Sequence, residues 1–92
     1  MRLEQVRFLA EHDLTLDDAL TEARAVYAER PTIYAADVLA LALFKKSQYK
    51  EAWDYAQKAL ATDSHDPSIL FHAALIAEAN GKKAEARKYA GI

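Results

Sequence analysis

Apolar side chains recur three and four residues apart along almost the whole chain, while strict alternation and clusters of β-branched residues are nearly absent. That period belongs to helices, and it predicts an all-α fold of about six helices. The first runs from Arg2 to about Glu11 on Leu3, Val6, Phe8 and Ala10, ending at the polar break Glu11, His12, Asp13. The second follows Thr15, which with Asp18 approximates a capping box, and Pro31 closes it. The third starts at Thr32 or Ile33 and ends near Lys46, its basic residues facing the negative end of the helix dipole. Ser47 reads as the N-cap of the fourth, Gln48 to about Thr62, which buries Tyr49, Ala52, Trp53, Ala56, Ala59 and Leu60. Asp66 caps a fifth helix that begins at Pro67, where the missing N–H costs nothing, and Gly81 after Asn80 stops it in a left-handed turn. The sixth starts near Lys82 or Lys83 and runs to Ile92.

The helices repeat. An offset of 34 residues lays Ala40 on Ala74, Leu41 on Leu75, Glu51 on Glu85, Ala52 on Ala86, Tyr55 on Tyr89 and Ala56 on Ala90. An offset of 33 lays Ala19 and Ala23 on Ala52 and Ala56, so the second, fourth and sixth helices share one stripe of small residues. Three copies of one helix pair follow, about 1–31, 32–65 and 66–92, within a single domain covering residues 1–92. A helix that is apolar all round, such as Ile33 to Phe44 or Ile69 to Ala77, must be covered on several sides, and stacked pairs provide that cover.

On these residues the chain resembles the tetratricopeptide repeat family, whose period is about 34 residues and whose helix pairs cross at small side chains. In the middle copy Leu39, Ala40 and Leu43 stand where the family has leucine, glycine and tyrosine, followed by Ala52, Ala56 and Ala59. In the last copy Leu70, Ala73, Ala74 and Ala77 lead to Gly81 and Ala86. The sequence departs from the pattern at Ala36, which replaces the family's tryptophan, at Ala40 and Ala74, which replace its glycine, and at Ala56, which replaces a large aromatic; the first copy has Arg7 at the glycine-like place. The resemblance implies antiparallel helix pairs stacked as a right-handed α-solenoid.

Composition narrows the function classes. The 92 residues bound the chain to one core, and its 52% hydrophobic and 28% charged residues and twenty alanines are those of a globular helical protein. A net charge of −2 gives no electrostatic reason to expect nucleic acid or an anionic membrane as partner. The longest apolar run, Ile33 to Phe44, contains Asp37 and falls short of the roughly 20 residues that span a bilayer. The charged, amphipathic start, Met1 to Arg7, lacks the apolar core of a signal peptide. Without cysteine there is no disulfide framework, thiolate metal site or cysteine nucleophile, and the compartment stays open with the cytoplasm as default.

No constellation points to catalysis, a metal or a cofactor. His12, His65 and His72 are not paired at helical spacing, and His65 beside Asp66 has no accompanying nucleophile. Asp17 with Asp18, and Glu4 with Glu11, read as helix-start and solvent-face residues. The basic residues Lys45, Lys46 and Lys50, then Lys82, Lys83, Arg87 and Lys88, are interleaved with acidic ones and read as solvated helix ends.

The expected function is therefore a non-catalytic scaffold that binds a peptide or helix segment of a partner protein. The resemblance implies a concave groove lined by the first helix of each pair: Phe8 and Glu11, then Tyr34, Asp37, Leu41, Phe44 and Lys45, then Phe71, His72, Leu75 and Glu78. Family members that bind chaperones clamp a terminal carboxylate with lysine, arginine and asparagine; Glu4, Phe8, Val38, Ser68 and His72 stand in those places, so an apolar or helical segment is the expected ligand. The alternative is a structural or self-associating segment of a larger protein. The finish at Tyr89, Ala90, Gly91, Ile92 lacks a polar capping helix, which suggests an excised fragment or an end covered by another subunit, as in a homodimer. Leu or Phe at Ala52 or Ala86 is predicted to wedge the helix pair apart and cost about 1 to 3 kcal/mol, read from thermal melts.

Overall fold

The computed structural model describes residues 16–61 and 66–91, and among them the chain forms five α-helices and no strand. They are α1 (Leu16–Glu29), α2 (Ile33–Lys45), α3 (Tyr49–Ala59), α4 (Pro67–Ala79) and α5 (Lys83–Ala90). The expected helix from Arg2 to Glu11, the Thr15 cap, Phe8 and His65 lie outside the described residues.

Local chemistry sets the starts of α2 and α4. The Thr32 Oγ1 accepts a hydrogen bond from the Ala35 N–H at 3.0 Å, satisfying one of the free donors of the first turn of α2. Asp66 does the same for α4, accepting from the N–H of Ser68 at 2.9 Å and of Ile69 at 3.4 Å, with Pro67 at the head of the helix.

The ends of α2 and α4 are two copies of one device. After α4, the Gly81 N–H donates to the Glu78 carbonyl at 3.0 Å and the Lys82 N–H to the Ala77 carbonyl at 2.9 Å, with Gly81 at φ 74°. After α2, the Ser47 N–H donates to Phe44 at 2.9 Å and the Gln48 N–H to Leu43 at 2.9 Å, with Ser47 at φ 63°. This Schellman arrangement closes both helices at the same place in the repeat. It also corrects the reading of Ser47 as an N-cap: the residue holds the left-handed turn, and Gln48 precedes α3 without a side-chain cap. Serine at an N-cap and serine in the position of Gly81 cannot be told apart by residue type alone.

The core is built around α2, where every residue from Ala35 to Leu43 is buried. It packs against α1, α3 and α4, while α4 packs against α2, α3 and α5. One cluster joins Ala23 of α1 to Leu39, Ala40 and Leu43 of α2, Ala52, Trp53 and Ala56 of α3, and Ala73, Ile76 and Ala77 of α4. The alanine stripe of the second helices meets this cluster in α1 and α3, where Ala19 and Ala52 have no exposed surface. In α5 no residue is buried, and Ala86 is half-exposed where its counterpart Ala52 is enclosed. Overpacking at Ala86 is therefore milder than at Ala52, because solvent lies on one side of it.

Contacts between pairs recur as well. The Asn80 Nδ2 at the end of α4 donates to the Tyr49 carbonyl at the head of α3 at 2.8 Å. One repeat earlier, Lys46 at the end of α2 pairs with Asp17 at the head of α1. Tyr27 and Tyr55 meet edge to face with centroids 5.2 Å apart, and the Lys58 ammonium lies 4.6 Å from the Tyr55 ring. Tyr49, expected in the buried stripe, is 39% exposed and rests against Phe44, centroids 5.7 Å apart.

A non-glycine residue in the left-handed region is strained by its Cβ, whereas glycine there costs only unfolded-state entropy. Ser47→Gly is expected to stabilise the protein by about 0.5 to 1 kcal/mol, read as a higher urea midpoint with an unchanged slope. An unchanged or lower midpoint contradicts this account of the turn.

Candidate partner-binding surface

The residues expected to line a groove on the first helices divide sharply by burial. Tyr34 of α2 and Phe71 of α4 stand 54% and 61% exposed, and Glu78 is exposed. Phe44, Lys45 and Leu75 are half-buried, whereas Asp37, Leu41 and His72 are buried at 5%, 3% and 6% exposure. Phe8 and Glu11 lie outside the described residues. Only part of the expected set is therefore offered to solvent, and the rest faces the next helix.

Asp37 and His72 meet across the contact between α2 and α4. The His72 Nδ1 lies 3.0 Å from one Asp37 carboxylate oxygen and 3.2 Å from the other. The ring N–H donates and the carboxylate accepts, which fixes the imidazole orientation and pins α4 to α2 at a single register. Among the described residues no buried side-chain polar atom lacks a partner, so the two polar groups are accommodated in the apolar stack. Sequence reading treated each as a separate groove residue; their separation of 35, close to the repeat, was the signal that they could face one another.

A second polar link ties α1 to α3. The Arg24 guanidinium grips Glu51 through two bonds, Nη1 to Oε2 at 2.9 Å and Nη2 to Oε1 at 3.1 Å. Hydrogen bonding to Arg24 holds the Glu51 carboxyl below the usual carboxylate range and raises Arg24 in turn. The stabilisation from Glu51 is present above its unfolded carboxylate range and is lost as pH falls through the lowered folded value. With both side chains some 40% exposed (43% and 39%), solvent screening limits the pair to about 1 kcal/mol at most.

A further open feature among the described residues lies between α4 and α5. Phe71, Ala74, Leu75, Glu78, Ala86, Arg87 and Ala90 line a shallow groove of about 210 Å³, mainly apolar in its floor. It continues into a depression of about 230 Å³ beside Glu78, Lys83, Ala86 and Arg87. Sequence reading named only Phe71, Leu75 and Glu78 here, because the α5 wall belongs to a second helix and falls outside a first-helix surface.

Among the described residues no three His, Cys, Asp or Glu side chains are grouped to hold a metal, and no helix is long and apolar enough to cross a membrane. What the geometry offers is exposed aromatic and apolar surface on helices held by a repeated core, which defines a helical-repeat protein of tetratricopeptide type. A family model described as anaphase-promoting complex, cyclosome, subunit 3 matches residues 13–91, and the chain belongs to this tetratricopeptide-type repeat family. No curated protein and no solved structure gives a significant match.

Removing the carboxylate from beneath His72 takes away the acceptor that its Nδ1 meets across the α2–α4 contact. Asp37→Ala is expected to cost about 1 to 3 kcal/mol, and with His72→Leu added the total loss falls well below the sum of the two single losses. Additive losses in this double-mutant cycle contradict the coupling.

Proposed function

We propose that the protein is a non-catalytic interaction scaffold, its helix pairs stacked as a right-handed solenoid of tetratricopeptide type, that binds a peptide or helix segment of a partner protein. The observation that carries this reading is the exposure of two large aromatics, Tyr34 at 54% and Phe71 at 61%, on the first helices of successive pairs. Aromatic side chains left in water on a rigid frame offer large contact area at low ordering cost, the property of interface anchors. Membership of a repeat family that is generally non-catalytic supports the same reading. Tyr34, Phe71, Leu75 and Glu78 are the contact residues it favours, with Phe44 and Lys45 at the margin.

The competing reading is a structural or self-associating segment, and the uncovered apolar groove between α4 and α5 speaks for it. Sedimentation equilibrium separates the two: a scaffold with a free surface stays monomeric, and a self-associating one gains mass with concentration.

Selection of a displayed random-peptide library on the protein tests the scaffold reading. Peptides are expected to enrich on the parent protein and to be lost on Tyr34→Ser, an exposed substitution that leaves the thermal melt unchanged. Enrichment of nothing, or of peptides indifferent to Tyr34 and Phe71, contradicts it.

A further inference from the structure

The groove between α4 and α5 has a counterpart inside the stack, and that counterpart shows what kind of element fills it. Moved back by 34 residues, Phe71, Ala74, Leu75, Ala86 and Ala90 become Asp37, Ala40, Leu41, Ala52 and Ala56. All five of these are buried, because α4 lies across α2 and α3. The face that α4 turns inward is Ile69, His72, Ala73, Ile76 and Ala77. It is a stripe of small and branched side chains at i, i+3, i+4, i+7 and i+8. The open floor has the same alanines and leucine, so it is shaped for a helix carrying such a stripe.

The rim is where the two grooves differ. The covered one is edged by Phe44, Tyr49 and Trp53, and the open one has Glu78, Lys83 and Arg87 at those places. Trp53 is only 8% exposed, and a guanidinium in its place would be stripped of water without a partner. Around a floor that is wet in the free protein, charge at the rim keeps the surface soluble and steers a complementary ligand. Among the described residues Glu78, Lys83 and Arg87 make no ion pair. The α5 wall is basic, with Lys83, Arg87 and Lys88 against Glu85.

We infer that this groove docks an amphipathic α-helix of another protein, with an apolar i, i+3, i+4, i+7 stripe against Leu75 and the alanines and carboxylates along the flank that meets Lys83 and Arg87. A second copy of the described chain is a poorer occupant, because α2 and α4, the helices that carry such a stripe, bury it in their own core. The inference rests on the scaffold reading and supplies the chemistry of one partner.

The probe is a fluorescein-labelled helical peptide carrying the isoleucines and alanines of the inward face of α4, with glutamates on one flank, and a twin with lysines instead. The glutamate peptide is expected to bind saturably and to shift the amide resonances of Leu75, Ala86 and Ala90. Arg87→Glu, at an exposed position, is expected to weaken it by about tenfold or more, the scale of one charge-assisted contact, and to improve the lysine twin. Absence of saturable binding, binding indifferent to Leu75→Lys, or equal affinity of both peptides for the parent protein overturns the proposal. So does a mass that rises with concentration and returns to monomer in Leu75→Lys, which gives the groove to a second copy. Because Tyr34 lies off this groove, Tyr34-dependent library binders that persist while the glutamate peptide fails sink the groove alone.

Discussion

Close approach of helices through alanine is the constraint on which the rest of this structure depends. Ala23, Ala40, Ala52, Ala56, Ala73 and Ala77 occupy one buried cluster, where successive helices touch with little more than a methyl group between backbones. Such contacts bring helix axes to the short end of the ~8 to 10 Å range. They also leave the larger side chains, Leu39, Leu43, Ile69 and Ile76, to fill the spaces between pairs, where they are fully buried. Because the interior is packed to near-crystalline density, neither set changes size without moving a helix.

Tight packing decides which surface remains exposed. It brings α4 so close to α2 that Asp37, Leu41 and His72 become interior contacts, and a polar pair at 3.0 Å sets the register there. The first helices keep only Tyr34, Phe71 and their neighbours for solvent. Between α4 and α5 the same geometry, with no helix of the described residues across it, leaves an apolar floor edged with charge. One packing rule thus produces both the rigid frame and the two surfaces it offers.

The repeat and the boundaries at Asp66 with Pro67 and at Gly81 were legible in the sequence because they depend on local chemistry that acts within one turn, whereas Thr32 was read only as a possible first residue of its helix and proves to be the N-cap. The offset of 34 residues located Ala52 and Ala56 correctly in the core. Ser47 was misread because serine serves N-caps and left-handed turns alike, and only comparison with Gly81 separates the two. Burial of Asp37, Leu41 and His72 was not legible from α2 or α4 alone, since it depends on how near the next pair lies. The α5 wall of the open groove was missed for the same reason: Arg87 has meaning only beside Glu78 and against its counterpart Trp53.

The central claim is a core centred on α2 and α4, with α5 lying against α4, touching α3 through Tyr89 on Trp53 and burying no residue of its own. Native-state hydrogen exchange resolved by residue tests it most directly. The account predicts that amides of α2, α3 and α4 exchange only through global unfolding, at one common free energy, while those of α5 open earlier. Protection of α5 equal to that of α2, or fast exchange within Ala35 to Leu43, would contradict it.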